Sequence, residues 1–138
     1  MPRFLDADVL LRYLVRPLTD DDQMRAERAR DLLLRVERGE ERVITSAVVV
    51  FQTVLTLRDV YGTPKGQIRD VLNELLALRG LRLRGKRACR DALELFASTD
   101  LSFSAAYSVV AMADAGVPEI YSWDARFDGV TGVTRLEP

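Results

Sequence analysis

An α/β fold is predicted, a sandwich of helices on a mainly parallel sheet, and the order of elements along the chain is the reason. Brief apolar runs at Phe4-Leu5, Arg42 to Thr45, Leu81 to Leu83 and Ile120-Tyr121 alternate with longer stretches whose apolar residues recur at helical spacing. The chain has 138 residues, 48% apolar and 30% charged, the make-up of one ordinary globular domain with a core of its own. No internal repeat or low-complexity segment breaks the pattern.

Arg3 to Ala7 reads as a buried strand, and Asp8 as the cap of a helix carried by Val9, Leu10, Leu11, Tyr13 and Leu14 up to Pro17. Thr19 opens a second helix with Asp20, Asp21 and Asp22 in its positive first turn, a stripe of Met24, Ala29, Leu32, Leu33 and Val36, and Gly39 as its stop. Arg42 to Thr45 is a strand and Ser46 the cap of an apolar helix, Ala47 to Tyr61, on which Gln52, Thr56 and Asp59 share one face. Thr63 then caps a helix with Pro64 in its first position, followed by Ile68, Val71, Leu72, Leu75 and Leu76. Leu81 to Leu83 is a strand and Lys86 to Ala97 a helix. Ser102 or Ser104 caps the next helix, which runs to Gly116. Glu119 to Ser122 is a strand, and Val133 to Leu136 a last edge strand.

Two acidic pairs stand out, Asp6 with Asp8 after the first run and Asp124 with Asp128 after the run at Ile120-Tyr121. If those runs are neighbouring parallel strands, their carboxyl ends bring the carboxylates over one crevice. At ~4 Å and an effective dielectric of about 20, each pair repels by roughly 4 kcal/mol. A cation is therefore expected among them, most simply a hard divalent metal ion. The plain alternatives are a helix cap for Asp8, a turn cap for Asp124, a solvated turn residue for Asp128 and a polar outer stripe for Gln52.

There is no histidine and only one cysteine, Cys89, which reads as a small core residue. Zinc-finger sites, Ser-His-Asp triads, Cys-His pairs and an internal disulfide are thereby excluded. The net charge of −1, from 20 basic and 21 acidic residues, provides no overall basic field. Any nucleic acid must be met locally. Arg79, Arg82, Arg84, Lys86, Arg87 and Arg90 form a basic run that fits a phosphate backbone or, equally, a solvated surface. Arg12 and Arg16, one turn apart after Asp8, are further candidates for phosphate contacts. No cleavable leader and no membrane-length apolar stretch is seen, so a cytoplasmic protein without membrane association is expected.

The strand followed by Asp6-Ala7-Asp8-Val9-Leu10-Leu11 resembles the opening of PIN-domain proteins, where an Asp is followed at plus two by Asn or Asp and then by an apolar helix. Ile44-Thr45-Ser46, Ser102-Phe103-Ser104-Ala105-Ala106-Tyr107 and Ser122-Trp123-Asp124-Ala125-Arg126-Phe127-Asp128 are similar to the later segments of that family, in the same order. The resemblance implies a three-layer α/β/α sandwich with a central sheet of about four to five short strands. It also implies RNA cleavage with Mg²⁺ or Mn²⁺, and in small bacterial members a toxin restrained by a cognate antitoxin. Asp6 and Asp124 are then catalytic, with Asp6, Asp8, Asp124 and Asp128 as metal ligands and Gln52 and Ser104 beside the ion.

The chain departs from that family at Gln52, where a Glu is usual, and at Ala105, where an Asp is usual. Asp59 does not replace the lost Glu, because it lies roughly 10 Å from Gln52 along the helix axis. A PIN fold that has lost catalysis and serves as an RNA- or protein-binding module is thus the alternative. Asp6-Ala7-Asp8-Val9 also resembles the nucleophile motif of haloacid-dehalogenase-type phosphatases, although the helix begins without the turn and flap of that class. The apolar hairpin from Ala47 to Leu78 predicts a homodimer burying Val71, Leu72 or Leu75.

Overall fold

The strand β1 is held to Arg3–Phe4, because the backbone at Asp6 already has the extended conformation of a helix N-cap, with φ −92° and ψ 162°. Helix α1, Ala7–Leu14, therefore starts before Asp8, which lies in its first turn and is not its cap. The computed structural model describes residues 1–138 in two compact units, Met1–Lys86 and Arg87–Pro138.

In the first unit, α2 (Asp20–Glu37), β2 (Val43–Thr45), α3 (Ala47–Asp59), α4 (Lys65–Leu76) and β3 (Leu81–Leu83) follow α1. The sheet has the order β1-β2-β3 and is parallel throughout. Helix α1 packs on α2 and α3, and α3 packs on α4. Thr19 and Ser46 cap α2 and α3, accepting from the N–H groups of Asp22 at 3.0 Å and Val49 at 3.3 Å. Helix α4 has no side-chain cap: Pro64 is its cap residue, not its first turn, and the N–H of Thr63 instead bonds to the Leu57 carbonyl at 2.9 Å.

Val36, Val50, Val54, Ile68, Leu72 and Leu76 are among the fully buried side chains here. Leu72 and Leu75 are thus already covered and do not form the exposed dimer patch expected of them, while Val71 is half-buried. The buried hydroxyl of Thr53 donates to the Val49 carbonyl at 2.8 Å, which satisfies it inside its own helix. Gly80 sits where α2 ends against the sheet. Its N–H donates to Val36 O and its carbonyl accepts from Val43, both at 2.9 Å. A β-carbon there would lie 2.2 Å from the Glu41 carbonyl oxygen and 2.8 Å from that of Val36, so only glycine fits.

The second unit holds most of α5 (Lys86–Ser98), then α6 (Phe103–Ala115), β4 (Glu119–Tyr121), a short 3₁₀ helix at Ala125–Gly129 and β5 (Thr134–Leu136). Cys89, Leu93, Phe96, Leu101, Phe103 and Ala106 are buried, with the Phe96 and Phe103 rings edge to face at 5.9 Å. Ser102 caps α6, accepting from Ala105 N at 3.2 Å, and Gly116 ends it in the left-handed region at φ 70°.

Strands β4 and β5 pair in parallel as a sheet of their own. The five short strands expected for this α/β class are present, but as a three-stranded and a two-stranded sheet. The expectation that β1 and β4 are ladder neighbours is not met: β1 pairs with β2, and β4 with β5. At two residues, β1 has little ladder to share with a second neighbour.

Candidate functional site

Asp6 is positioned by its neighbours. Leu5 and Ala7 are buried at 2% and 1% exposure, so the side chain between them is turned outward. The Leu5 N–H donates to Ile44 O at 2.8 Å, and the buried Thr45 hydroxyl donates to Leu5 O at 2.9 Å. Both polar groups of the residue before Asp6 are thereby pinned to β2. The carboxylate of Asp6 makes no cap hydrogen bond to α1, and Asp8, one residue into that helix, is exposed as well. Both side chains sit at the N-terminal end of α1.

Gln52 is exposed on α3, the helix that packs on α1, so its amide oxygen is open to solvent. Its carbonyl accepts from the Thr56 hydroxyl at 2.8 Å. Among the proposed cations, Arg12 forms an ion pair with Asp22, joining α1 to the first turn of α2. Arg16 and Arg84 are exposed, and Lys86 donates to Leu81 O at 3.1 Å. A groove of about 960 Å³ opens between α1, α2 and α4. Leu33, Leu34, Leu75 and Leu78 contribute to its lining, with Glu27 and Glu74, but it contains neither Asp6 nor Asp8.

In the second unit the acids are engaged. Asp124 caps the 3₁₀ helix, accepting from Arg126 N at 3.0 Å, while the Arg126 guanidinium reaches both carboxylate oxygens, Nε to Oδ1 at 2.9 Å and Nη2 to Oδ2 at 2.8 Å. Arg135 forks Asp128 through Nε at 2.9 Å and Nη2 at 3.1 Å, and also reaches Glu137 and the Ser122 carbonyl. Hydrogen bonds from Arg126 hold the Asp124 carboxyl below its ordinary value, and those from Arg135 do the same for Asp128. Ser104 is exposed in the first turn of α6, and Ala105 beside it is buried. Arg87 is bound to Asp114 at 2.8 Å and Asp91 at 2.5 Å.

The candidate side chains offer only oxygen donors, which suit a hard ion such as Mg²⁺ or Mn²⁺. In neither unit, however, do three or more Asp, Glu, His or Cys side chains gather into a metal-holding group. Asp6, Asp8 and Gln52 offer uncommitted oxygens, whereas the carboxylates of Asp124 and Asp128 are taken up by arginines. Thr45, Arg126 and Arg135 are the positioning residues that the sequence did not disclose. Only Arg126, two residues after Asp124, stood close enough in the chain to be noticed.

A family model described as PIN domain matches residues 3–133. The chain belongs to the PIN-domain family. PIN domains are a family of nucleases that act on RNA and generally use divalent metal ions. The mixed architecture, with its parallel three-stranded sheet and second small sheet, is consistent with the three-layer α/β/α fold of PIN domains. Membership also retires the phosphatase reading of Asp6-Ala7-Asp8-Val9. A search of curated proteins finds no match. No helix is long and apolar enough to cross a membrane.

Proposed function

We propose that this PIN-domain protein is a ribonuclease that hydrolyses RNA phosphodiesters with Mg²⁺ or Mn²⁺, at a rate lowered by its altered acidic positions. The observation that carries this reading is the family match over residues 3–133 together with Asp6, held outward and uncommitted at the β1–α1 junction. Asp6 and Asp124 are the proposed catalytic residues, and Asp6, Asp8, Asp124 and Asp128 the proposed metal ligands, with Gln52 and Ser104 as neutral oxygen donors. A bound divalent ion would supply an activated water and neutralise charge on the phosphate. The protein's part is to orient carboxylates and to meet RNA phosphates with Arg12, Arg16, Arg84, Lys86 and Arg87. For Arg12 and Arg87 that role requires release from Asp22 and from Asp91 and Asp114.

The chain is further proposed to work as one PIN domain across both units, in the cytoplasm, as a homodimer and as the toxin of a toxin–antitoxin pair. The groove between α1, α2 and α4, whose lining mixes leucines with Glu27, Arg30, Glu37 and Glu74, is the surface proposed for an antitoxin segment. A second reading, an RNA- or protein-binding module without catalysis, is favoured by Gln52, Ala105 and the arginine-bound Asp124 and Asp128. One experiment separates the two. A mixed RNA pool is incubated with Mn²⁺ and wild type or Asp6→Asn. Cleavage by wild type alone supports the nuclease, and RNA binding without cleavage by either protein supports the module.

A further inference from the structure

We infer that Trp123, with Tyr121 beside it, is a stacking platform for the bases of single-stranded RNA. The inference rests on the proposed action on RNA and needs no ion at Asp124. Aromatic rings of the second unit are sorted by exposure. Phe96, Phe103 and Phe127 are buried, at 5% exposure or less, whereas Tyr121 and Trp123 are 72% and 69% exposed. Neither exposed ring has a hydrogen-bond or ring partner within the fold. The chain's only tryptophan thus leaves most of its flat apolar surface in water.

The backbone that carries the two rings is fixed. Between them, Ser122 has all three polar groups engaged: its N–H donates to Leu136 O at 3.0 Å, its carbonyl accepts from Arg135 Nη1 at 3.2 Å, and its hydroxyl accepts from Asp124 N at 3.0 Å. Rings presented from a fixed backbone lose little freedom when a ligand lies on them. The charges of this stretch then select the chemistry of the partner. Arg126 is engaged with Asp124, and Arg135 with Asp128 and Glu137, so neither stands free to meet a phosphate. What remains on offer is ring faces, and the bases of an unpaired strand present faces in return. A protein surface fits less well, because Val117 is the only other exposed large apolar side chain of this unit, too few for the buried core of a protein interface.

The test is run on the full chain in EDTA, so that RNA is bound and not hydrolysed, with oligouridylate, oligoadenylate and an abasic ribose-phosphate oligomer of equal length. The anisotropy of end-labelled RNA gives the affinity, and the fluorescence of Trp123, the single tryptophan, reports on the ring itself. The two base-bearing oligomers are expected to quench this emission, and the abasic oligomer to leave it unchanged. Trp123→Ala should weaken RNA binding about tenfold, the scale of one stacked base, and Trp123→Phe, which keeps a ring, and Tyr121→Ala each by less, with circular dichroism to verify folding. The tenfold loss should be the same at low and high salt, because a stacked ring releases no counterions. Unquenched emission with RNA bound, quenching by the abasic oligomer as strong as by the bases, or unchanged affinity in Trp123→Ala overturns the platform and leaves the action on RNA standing. Emission that shifts with protein concentration in the absence of RNA shows a second copy of the chain on the rings and likewise overturns it. RNA bound by none of these proteins overturns the platform together with the proposed action on RNA.

Discussion

The carboxylates at the start and at the end of this chain are held by different means. Asp6 is aimed by backbone: a buried residue on each side, and two hydrogen bonds between β2 and the residue before it, one donated by Leu5 N–H and one accepted by its carbonyl. Its own oxygens play no part in holding it. Asp124 and Asp128 are aimed by their own oxygens, through arginine forks that neutralise them. An acid of the first kind is available to a ligand but depends on the integrity of a sheet. An acid of the second kind is secure but must give something up before it can bind.

The largest effect is expected from striking the frame behind Asp6. Gly80→Ala places a β-carbon against two carbonyl oxygens of the backbone, so about 3 kcal/mol of stability should be lost by overpacking. Denaturant titration checks this, and an unchanged midpoint would mean that the junction of α2 and the sheet is looser than described. Next, Thr45→Val keeps the shape but leaves the Leu5 carbonyl without its buried donor, at a cost of roughly 1–3 kcal/mol. If the frame aims Asp6, this variant should also weaken Mn²⁺ binding, and an affinity equal to wild type would break the first half of the comparison.

Gln52→Glu sharpens it from the other side. The position is exposed on α3, so adding the usual acid should leave stability nearly unchanged while raising Mn²⁺ affinity roughly tenfold through ligand charge. Calorimetry showing no gain would mean that Gln52 lies outside the ion's reach. The smallest effect concerns pH. The folded Asp124 carboxyl titrates below its ordinary value, near 3.9 in a free chain. The pair with Arg126 therefore favours folding above that ordinary value, and its contribution is lost as pH falls through the folded one. The carboxyl carbon resonance of Asp124 should titrate at lower pH in wild type than in Arg126→Gln, and coincident curves would show that the fork does not persist in solution.

Much of the fold was legible because it is written locally. Thr19, Ser46 and Ser102 cap the helices that follow them, and Ala29, Leu33 and Val36 of α2 and Ile68, Leu72, Leu75 and Leu76 of α4 face inward as expected, although Met24, placed in the α2 stripe, is exposed. What failed to show depends on partners distant in sequence. Thr45 bonds to a carbonyl on another strand, and the need for glycine at position 80 comes from the backbone of Val36 and Glu41. The basic run ending at Arg90 looked unpaired because Asp91 stands one residue beyond it and Asp114 a whole helix away, yet both hold Arg87. The acids at positions 6, 8, 124 and 128 were visible as residues, but not which of them are free.

Cys89 adds a consequence of burial. Its thiol is fully covered, and desolvation pushes its pKa up, so it stays protonated and inert in the folded chain. As the single sulfhydryl in the molecule, it makes an alkylating reagent a clock for opening of α5: the labelling rate at each denaturant concentration reads the stability of that helix without an introduced probe.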